Sequence, residues 1–187
     1  MTDRPNGPVS ASHRPAGVVY LENTRFEFGR LRRLAEAAIG QTPDHAALHR
    51  RLSEGSNSIA ILMRHLAGNI RSRWTEFLTT DGEKPDRNRE SEFDPCDRIP
   101  RDELLAEWRE AFALLERNLA KLGPADLDRT IRIRGEAFLV QEAIERQVLH
   151  LAYHTGQIVL LAKAFTPEWQ SLSIPRGVDP NTRRYKR

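Results

Sequence analysis

The fold of this chain is organised around the sequence EAIERQVLHLAYHTGQI, which covers residues 142–158. The segment is apolar enough to be buried and has the residue pattern of a long helix. His150 and His154 lie four residues apart within it, and residues i and i+4 of an α-helix share one face. Two imidazoles placed in this way can hold one metal ion, as in helical zinc sites. We therefore expect the other helices to pack around this one, and one of them to supply a third ligand.

The four-residue spacing of histidines is weak evidence when it stands alone. With 6 histidines in 187 residues, composition alone gives about 0.2 such pairs. The chain contains a second pair, His45 and His49, in a short arginine-rich connector. We expect these two side chains to be exposed and leave them out of the metal site. For His150 and His154, a hydrogen-bonded pair of core histidines remains open as the simpler interpretation.

Composition indicates a single globular domain. The chain has 39% hydrophobic and 29% charged residues and a net charge of +3, and its length is sufficient to bury a core without disulfides. Its one cysteine, Cys96, lies near Asp94 and Asp97, which disfavour the thiolate, so we do not expect a nucleophile there. We see neither a secretory signal nor an apolar run of membrane-spanning length. We expect a cytoplasmic protein without a membrane partner.

Apolar residues at helical spacing predict four long helices. Between them, residues 41–55 read as a connector that can hold a short helix with Pro43 at its first position. Residues 131–135 alternate apolar and basic side chains, which favours a short extended segment or hairpin. Four amphipathic helices in one domain predict an all-α four-helix bundle, a fold that builds metal sites from inward side chains. The predicted helices run from about Val18 to Gly40, from Ile59 after a Ser56–Ser58 cap to about Thr80, from Pro100 to Leu122, and from about Glu136 to Lys163.

The second predicted helix carries a polar pair beside its apolar face. His65 and Asn69 are four residues apart and adjoin the stripe that includes Leu62 and Leu66. Buried polar groups need partners, because an unpaired one is destabilising. A metal ion shared with His150 and His154 would satisfy His65.

The remaining segments are polar. We expect residues 1–16 to be a disordered extension, 17–175 to form the bundle, and 176–187 to be a flexible basic tail. Residues 81–99 form a long loop of alternating charge, either solvated or folded as a lid over one end of the bundle. Nucleic-acid binding through the tail Arg183–Arg187 is a third-ranked hypothesis, and a nucleic-acid partner is not expected.

The chain resembles the DinB/YfiT-like metalloprotein superfamily, and more narrowly a bacterial subgroup with no assigned reaction. The resemblance covers about residues 18–175 and departs from the pattern in the proline-rich N-terminus and the basic tail. It is carried by Ser56–Ile59, His65–Asn69 with Arg73-Trp74, Asp81–Lys84, and Gln147–Ile158.

This resemblance implies an up-down-down-up four-helix bundle, often dimeric, with three histidines that bind a divalent metal, commonly zinc or nickel. Carried over by position, the ligands are His65, His150 and His154. Some relatives are transferases or isomerases that use low-molecular-weight thiols such as bacillithiol or mycothiol. The resemblance therefore implies a metal cofactor, a possible thiol cofactor, a small-molecule substrate and a homodimer.

Two main hypotheses follow for the function. In the first, three imidazoles leave a metal position open, and the metal activates a bound water or thiol as a nucleophile in a transferase or hydrolase. In the second, the protein is a non-catalytic metal-binding or stress-associated dimer. The residue after His150 is Leu151, where a zinc peptidase of the His-Glu type has its glutamate, which disfavours peptidase activity. Catalytic residues are not assigned; candidates for groups beside the ligands are Asn69, Glu145, Tyr153 and Gln157.

Overall fold

Four long helices account for most of the chain that the structure describes. The computed structural model describes residues 14–174 and 177–179. Within them the protein is mostly helical, as the sequence predicted, with one small antiparallel sheet. The helices are α1 (Ala16–Gln41), α2 (His45–His49), α3 (Ile59–Trp74), α4 (Arg101–Lys121) and α5 (Val140–Phe165), with short 3₁₀ turns at Glu90–Phe93 and Pro124–Asp126.

Side-chain caps define where two of these helices begin. The Ser58 hydroxyl accepts a hydrogen bond from the Ile61 N–H, so α3 begins directly after the predicted serine cap. The Asp44 carboxylate accepts from the Ala47 N–H at 2.8 Å, so α2 begins at His45. Our placement of Pro43 inside this helix is wrong, because the Asp44 side chain satisfies a free N–H at the helix start and so makes Asp44 the capping residue.

The second long helix is shorter than its apolar pattern predicts. α3 ends at Trp74, whereas the pattern predicted a helix to about Thr80. The chain turns at Glu76, whose φ of 49° is left-handed and incompatible with helix continuation. Phe77 is nevertheless buried, because its ring stacks on Trp74 with centroids 4.4 Å apart. Phe77 therefore continued the apolar pattern of the helix in the sequence, although it lies in the turn that follows Trp74.

A β-hairpin precedes the last helix. Its strands β1 (Thr130–Ile133) and β2 (Glu136–Leu139) pair antiparallel. The two turn residues, Arg134 and Gly135, have φ of 57° and 78°, as a tight two-residue hairpin requires. The predicted extended segment or hairpin is thus confirmed. The last helix starts at Val140 and not at Glu136, because residues 136–139 form the second strand.

The long helices pack in pairs around a continuous apolar core. α3 packs on α4 and α1 on α5, and further contacts join α3 to α5 and α1 to α4. The largest fully buried side chains include Trp74, Trp108, Phe28 and Phe112. Burying side chains of this size stabilises by about 1.5–3 kcal/mol each. This packing brings α3 against α5, the two helices that carry the candidate ligands.

The predicted terminal segments fall mostly outside the described residues. Residues 1–13 and 180–187 are not described, so the expected N-terminal disorder and the basic tail are not addressed by the structure. α1 already begins at Ala16, the last residue of the predicted extension. Among the described residues, no helix has both the length and the apolarity to span a bilayer.

Candidate metal centre

The structure brings the three predicted histidines together. His65 lies on α3, and His150 and His154 lie one turn apart on α5. One ring nitrogen from each lies within 4.8 Å of the others, and the Nε2 atoms of His65 and His150 are 3.1 Å apart. His65 is 4% exposed, His154 is also buried, and His150 is half-buried. The cluster is therefore present, while metal binding by it stays a prediction.

The buried stripe of α5 explains the position of its two histidines. Gln147, Leu151, His154 and Ile158 recur at intervals of three and four residues and are all buried. His150 lies beside this stripe, so its ring reaches the same space as that of His154 from one turn earlier. The four-residue spacing read from the sequence thus corresponds to a shared helix face in the structure.

A carboxylate that the sequence analysis missed fixes the orientation of His65. Glu92 lies in the 3₁₀ turn, is 8% exposed, and its Oε2 accepts from His65 Nδ1 at 2.8 Å. An ionised carboxylate only accepts, so His65 Nδ1 carries the proton of this hydrogen bond and Nε2 faces the other histidines. A carboxylate behind a histidine in this way is the usual outer partner of a metal ligand.

Arg87 holds the Glu92 carboxylate in place. Its Nε donates to Glu92 Oε1 at 2.8 Å and its Nη2 to Oε2 at 2.9 Å, which is a two-point ion pair. Burial opposes ionisation of Glu92, but the hydrogen bonds from His65 and Arg87 outweigh it and hold the pKa of Glu92 below its usual value. Glu92 therefore stays an acceptor at neutral pH.

The loop that contains these residues is packed, not solvated, along this stretch. A methyl group on Gly68 of α3 would lie 2.8 Å from Glu92 Cδ, so only glycine lets the turn approach the helix this closely. The Phe93 ring contacts the His65 ring with centroids 4.7 Å apart. Phe93, an apolar residue in a mostly polar loop, was a signal in the sequence that this stretch is packed.

The four residues that the sequence offered as candidates for groups beside the ligands lie in different positions. Gln157 Oε1 accepts from His154 Nδ1 at 2.8 Å, so it orients this ring as Glu92 orients His65. Asn69 is buried and lines the adjacent cavity. Tyr153 contacts the His154 ring but is mostly exposed. Glu145 is exposed and does not line the cavity. Burial, and then the charge of Glu145, raise the pKa of Tyr20.

The environment keeps the α5 histidines uncharged. Burial, followed by the nearby His154 and His65, lowers the pKa of His150 to about 3. Burial likewise lowers the pKa of His154. Neutral imidazole is the form that binds metals, so the donor set suits a divalent cation.

A cavity of about 530 Å³ adjoins the histidine cluster. It lies between α3, the 81–99 loop, the hairpin and α5, and its volume falls in the range of small-molecule sites. Its apolar wall is formed by Trp74, Phe77, Phe93, Ile131 and Ile133, and its basic wall by Arg73, Arg87, Arg89, Arg134 and Arg146.

The second histidine pair is separate from this cluster. His45 is exposed, as predicted, and its Nε2 lies 2.8 Å from the Asp97 carbonyl oxygen. The prediction for His49 is wrong: its side chain is 6% exposed, and its Nδ1 lies 3.6 Å from the Asp97 carboxylate. His49 Nδ1 lies 3.8 Å from the Cys96 sulfur. Burial raises the pKa of the Cys96 thiol, which agrees with the expectation that it is not a nucleophile.

Comparison with known sequences gives a family without an assigned activity. Residues 16–178 match a family model whose description is "Protein of unknown function (DUF1572)". The match covers all five helices and the hairpin. No curated protein matches the sequence.

Proposed function

Because this chain belongs to the DUF1572 family, whose description names no activity, we propose its function from the site: His65, His150 and His154 hold a divalent metal ion. The observation that carries the proposal is the convergence of three ring nitrogens within 4.8 Å. Each histidine would supply one nitrogen, and imidazole is the commonest protein ligand for such metals.

The partners of the rings support this role. Glu92 and Gln157 accept from the Nδ1 atoms of His65 and His154, which leaves the Nε2 atoms of these rings as the ligands for a cation. His65 Nε2 and His150 Nε2 are 3.1 Å apart. A hydrogen bond between two neutral nitrogens uses one proton and one lone pair, whereas a divalent cation would accept both lone pairs. The donor set therefore fits a metal of the zinc or nickel type.

The helix packing supports a four-helix bundle of DinB/YfiT type as the fold. The contacts α1–α5, α5–α3, α3–α4 and α4–α1 close a ring of four neighbouring helices. We propose that this ring is the up-down-down-up bundle that the sequence resemblance implies. Its two ligand-bearing helices, α3 and α5, are neighbours in the ring, as a bundle metal site requires.

The proposed activity is a metal-dependent transferase or hydrolase reaction on a small molecule, with a low-molecular-weight thiol as a candidate co-substrate. A metal held by these three imidazoles would keep a position for water or thiol and would lower the pKa of the group bound there. The chain's own contribution is to orient the rings through Glu92 and Gln157 and to offer the adjacent cavity. Leu151 stands after His150, so the residues for peptidase chemistry of the His-Glu type are not in place.

A non-catalytic metal-binding dimer is the second candidate, and the surface of α5 favours the dimer. Leu149, Tyr153 and Leu160 are 70%, 65% and 60% exposed. Their spacing of four and seven residues places them on one outer face of the helix. Exposed apolar patches often mark association surfaces, and we propose that a second copy of the chain covers this face.

Metal analysis of the purified protein tests the proposal. We expect about one equivalent of divalent metal in the wild type, because three histidines and one open position make a single four-coordinate site. We expect this metal to be lost in a His150→Ala, His154→Ala double variant. His45→Ala, on the exposed second pair, is the matched control and should retain the metal. Absence of metal from the wild type after reconstitution with zinc and with nickel would refute the proposal.

Cobalt substitution separates the two candidate functions. In an open site, adding a small thiol should change the visible spectrum of the cobalt protein, because the thiol enters the free position. An unchanged spectrum would contradict the thiol-dependent reaction and favour the non-catalytic function.

A further inference from the structure

Three buried hydrogen-bond donors in the wall of the cavity have no acceptor among the described residues. They are Nη1 of Arg73, Nε1 of Trp74 and Nε2 of Gln147. A buried donor without a partner is destabilising, so native structures rarely leave one. All three atoms are donors, and their residues line the cavity.

The cavity wall also carries more positive than negative charge. The Glu83 carboxylate is shared by three arginines: it lies 3.3 Å from Arg73, 3.2 Å from Arg87 and 3.0 Å from Arg134. Arg87 has Glu92 as a second partner, and Glu92 is also engaged by His65. The two carboxylates of Glu83 and Glu92 do not neutralise three guanidinium groups, so this part of the wall retains positive charge.

Arg146 adds a further positive charge from α5. Its guanidinium lies over the Phe138 ring, 5.5 Å from the centroid. Within residues 14–174 and 177–179, no carboxylate oxygen lies within 4.0 Å of it. Arg89 completes the basic wall and does have a partner, Glu90, at 2.8 Å.

Arg73 is the basic group that an anion would neutralise most effectively. Its side chain is largely buried, and Nη1 is the atom without a partner. Burial lowers its pKa; the Glu83 charge opposes this, and the neighbouring Arg87, Arg134 and Arg146 charges lower the pKa further. Water can accept hydrogen bonds from Trp74 and Gln147, but it cannot balance this charge.

We propose that the cavity beside the histidine cluster binds a small molecule with an oxyanion group, a carboxylate or a phosphate, held by Arg73 and Arg146. A planar guanidinium matches the two oxygens of such a group better than a point charge does. The apolar part of the molecule packs on Trp74 and Phe77. Anion binding in the cavity does not depend on the proposed metal site. Only the further claim, that the bound molecule is a substrate at that site, rests on the proposed function.

Calorimetric titration of metal-stripped protein tests anion binding apart from metal coordination. The probes are succinate and inorganic phosphate at fixed ionic strength, with neutral succinamide as the control ligand. We expect one of the anions to bind and succinamide not to bind; the preferred anion distinguishes a carboxylate from a phosphate site. Arg73→Gln and Arg146→Gln should each weaken anion binding about tenfold or more, whereas Arg117→Gln, on the exposed side of α4, should leave it unchanged.

Two results would overturn the inference. One is the lack of binding of either anion to the wild type at millimolar concentration, and the other is unchanged binding in the arginine variants. If Arg73→Gln fails to fold by circular dichroism, Arg146→Gln decides, because this side chain is exposed.

The titration also separates this inference from the metal proposal. Anion binding by a wild type that takes up no metal would sustain the anion site and refute the metal site. Metal uptake without anion binding would refute the anion site alone.

Discussion

Glu92→Gln removes the charge behind His65 while keeping the shape of the side chain. Glu92 accepts from His65 Nδ1 and, at two points, from Arg87. A glutamine has one accepting oxygen and one NH₂ group, so it cannot replace both oxygens of the carboxylate. If its oxygen takes the place of Oε2, it accepts from His65 Nδ1 and Arg87 Nη2, but its NH₂ group faces the Arg87 Nε donor. If its NH₂ group takes that place, it faces His65 Nδ1 and favours the tautomer that places the proton on Nε2.

The expected loss of metal affinity is about 10–100-fold, the usual effect of losing an outer partner of a ligand. This corresponds to about 1.4–2.7 kcal/mol at the metal site. The unfolding free energy of the metal-free protein should fall by about 1–3 kcal/mol, because a buried donor loses its acceptor. Arg87 keeps Glu83 at 3.2 Å, which limits this loss.

Competition with a chromophoric chelator measures the first quantity, and urea unfolding in the presence of EDTA measures the second. Glu90→Gln is the matched control: it makes the same change two residues earlier in the same turn, where the side chain is 84% exposed. Equal metal affinity in the Glu92→Gln and Glu90→Gln proteins would refute the reasoning, since it would show that the carboxylate does not orient His65.

Three further predictions concern the turn, the hairpin and the outer face of α5. Gly68→Ala should weaken metal binding as Glu92→Gln does, because its methyl group displaces the Glu92 carboxylate. Gly40→Ala, with open space around its Cβ, should leave metal binding unchanged. Equal metal affinity of the two alanine variants in chelator competition would contradict this. The backbone N–H of Glu83, helped by those of Gly135 and Arg134, holds the pKa of Asp81 below its usual range. Asp81→Asn should therefore lower stability by about 1 kcal/mol at neutral pH, and the difference should disappear as the pH falls through that lowered pKa; identical urea midpoints at neutral pH would count against it. Leu149→Asp should convert a dimer to a monomer in light scattering, and a wild type that is already monomeric would exclude the proposed interface.

The shared face of His150 and His154 could be predicted from the sequence because their signal is periodic, whereas the set that includes His65 came from the family resemblance. His150 and His154 lie at i and i+4 on a helix, and His65 adjoins the apolar stripe of another helix. Helical geometry converts such spacing into a shared face without knowledge of the tertiary fold. The same rule failed beyond Trp74, where Phe77 kept the apolar pattern although the backbone had left the helix.

Glu92 and Arg87 could not be predicted because no periodicity marks a loop contact. Each is one of several charged residues between 81 and 99, and the sequence does not distinguish a buried carboxylate from a solvated one. What selects Glu92 is the close approach of its turn to α3 at Gly68. A methyl group at position 68 would exclude this approach. The contact therefore depends on positions 68 and 92, which are distant in the sequence and which only the fold brings together.

The position of Glu92 links the loop to the histidine cluster energetically. Its carboxylate is the shared acceptor for Arg87, which belongs to the loop, and for His65, which belongs to α3. Arg87 in turn shares Glu83 with Arg73 and Arg134, so one chain of ion pairs extends from the histidine to the hairpin. Groups in such a network stabilise one another more than separate pairs do. The residues that orient the proposed metal ligand are therefore connected to those that form the basic wall of the cavity. A substitution in either set should alter the ion pairs of the other.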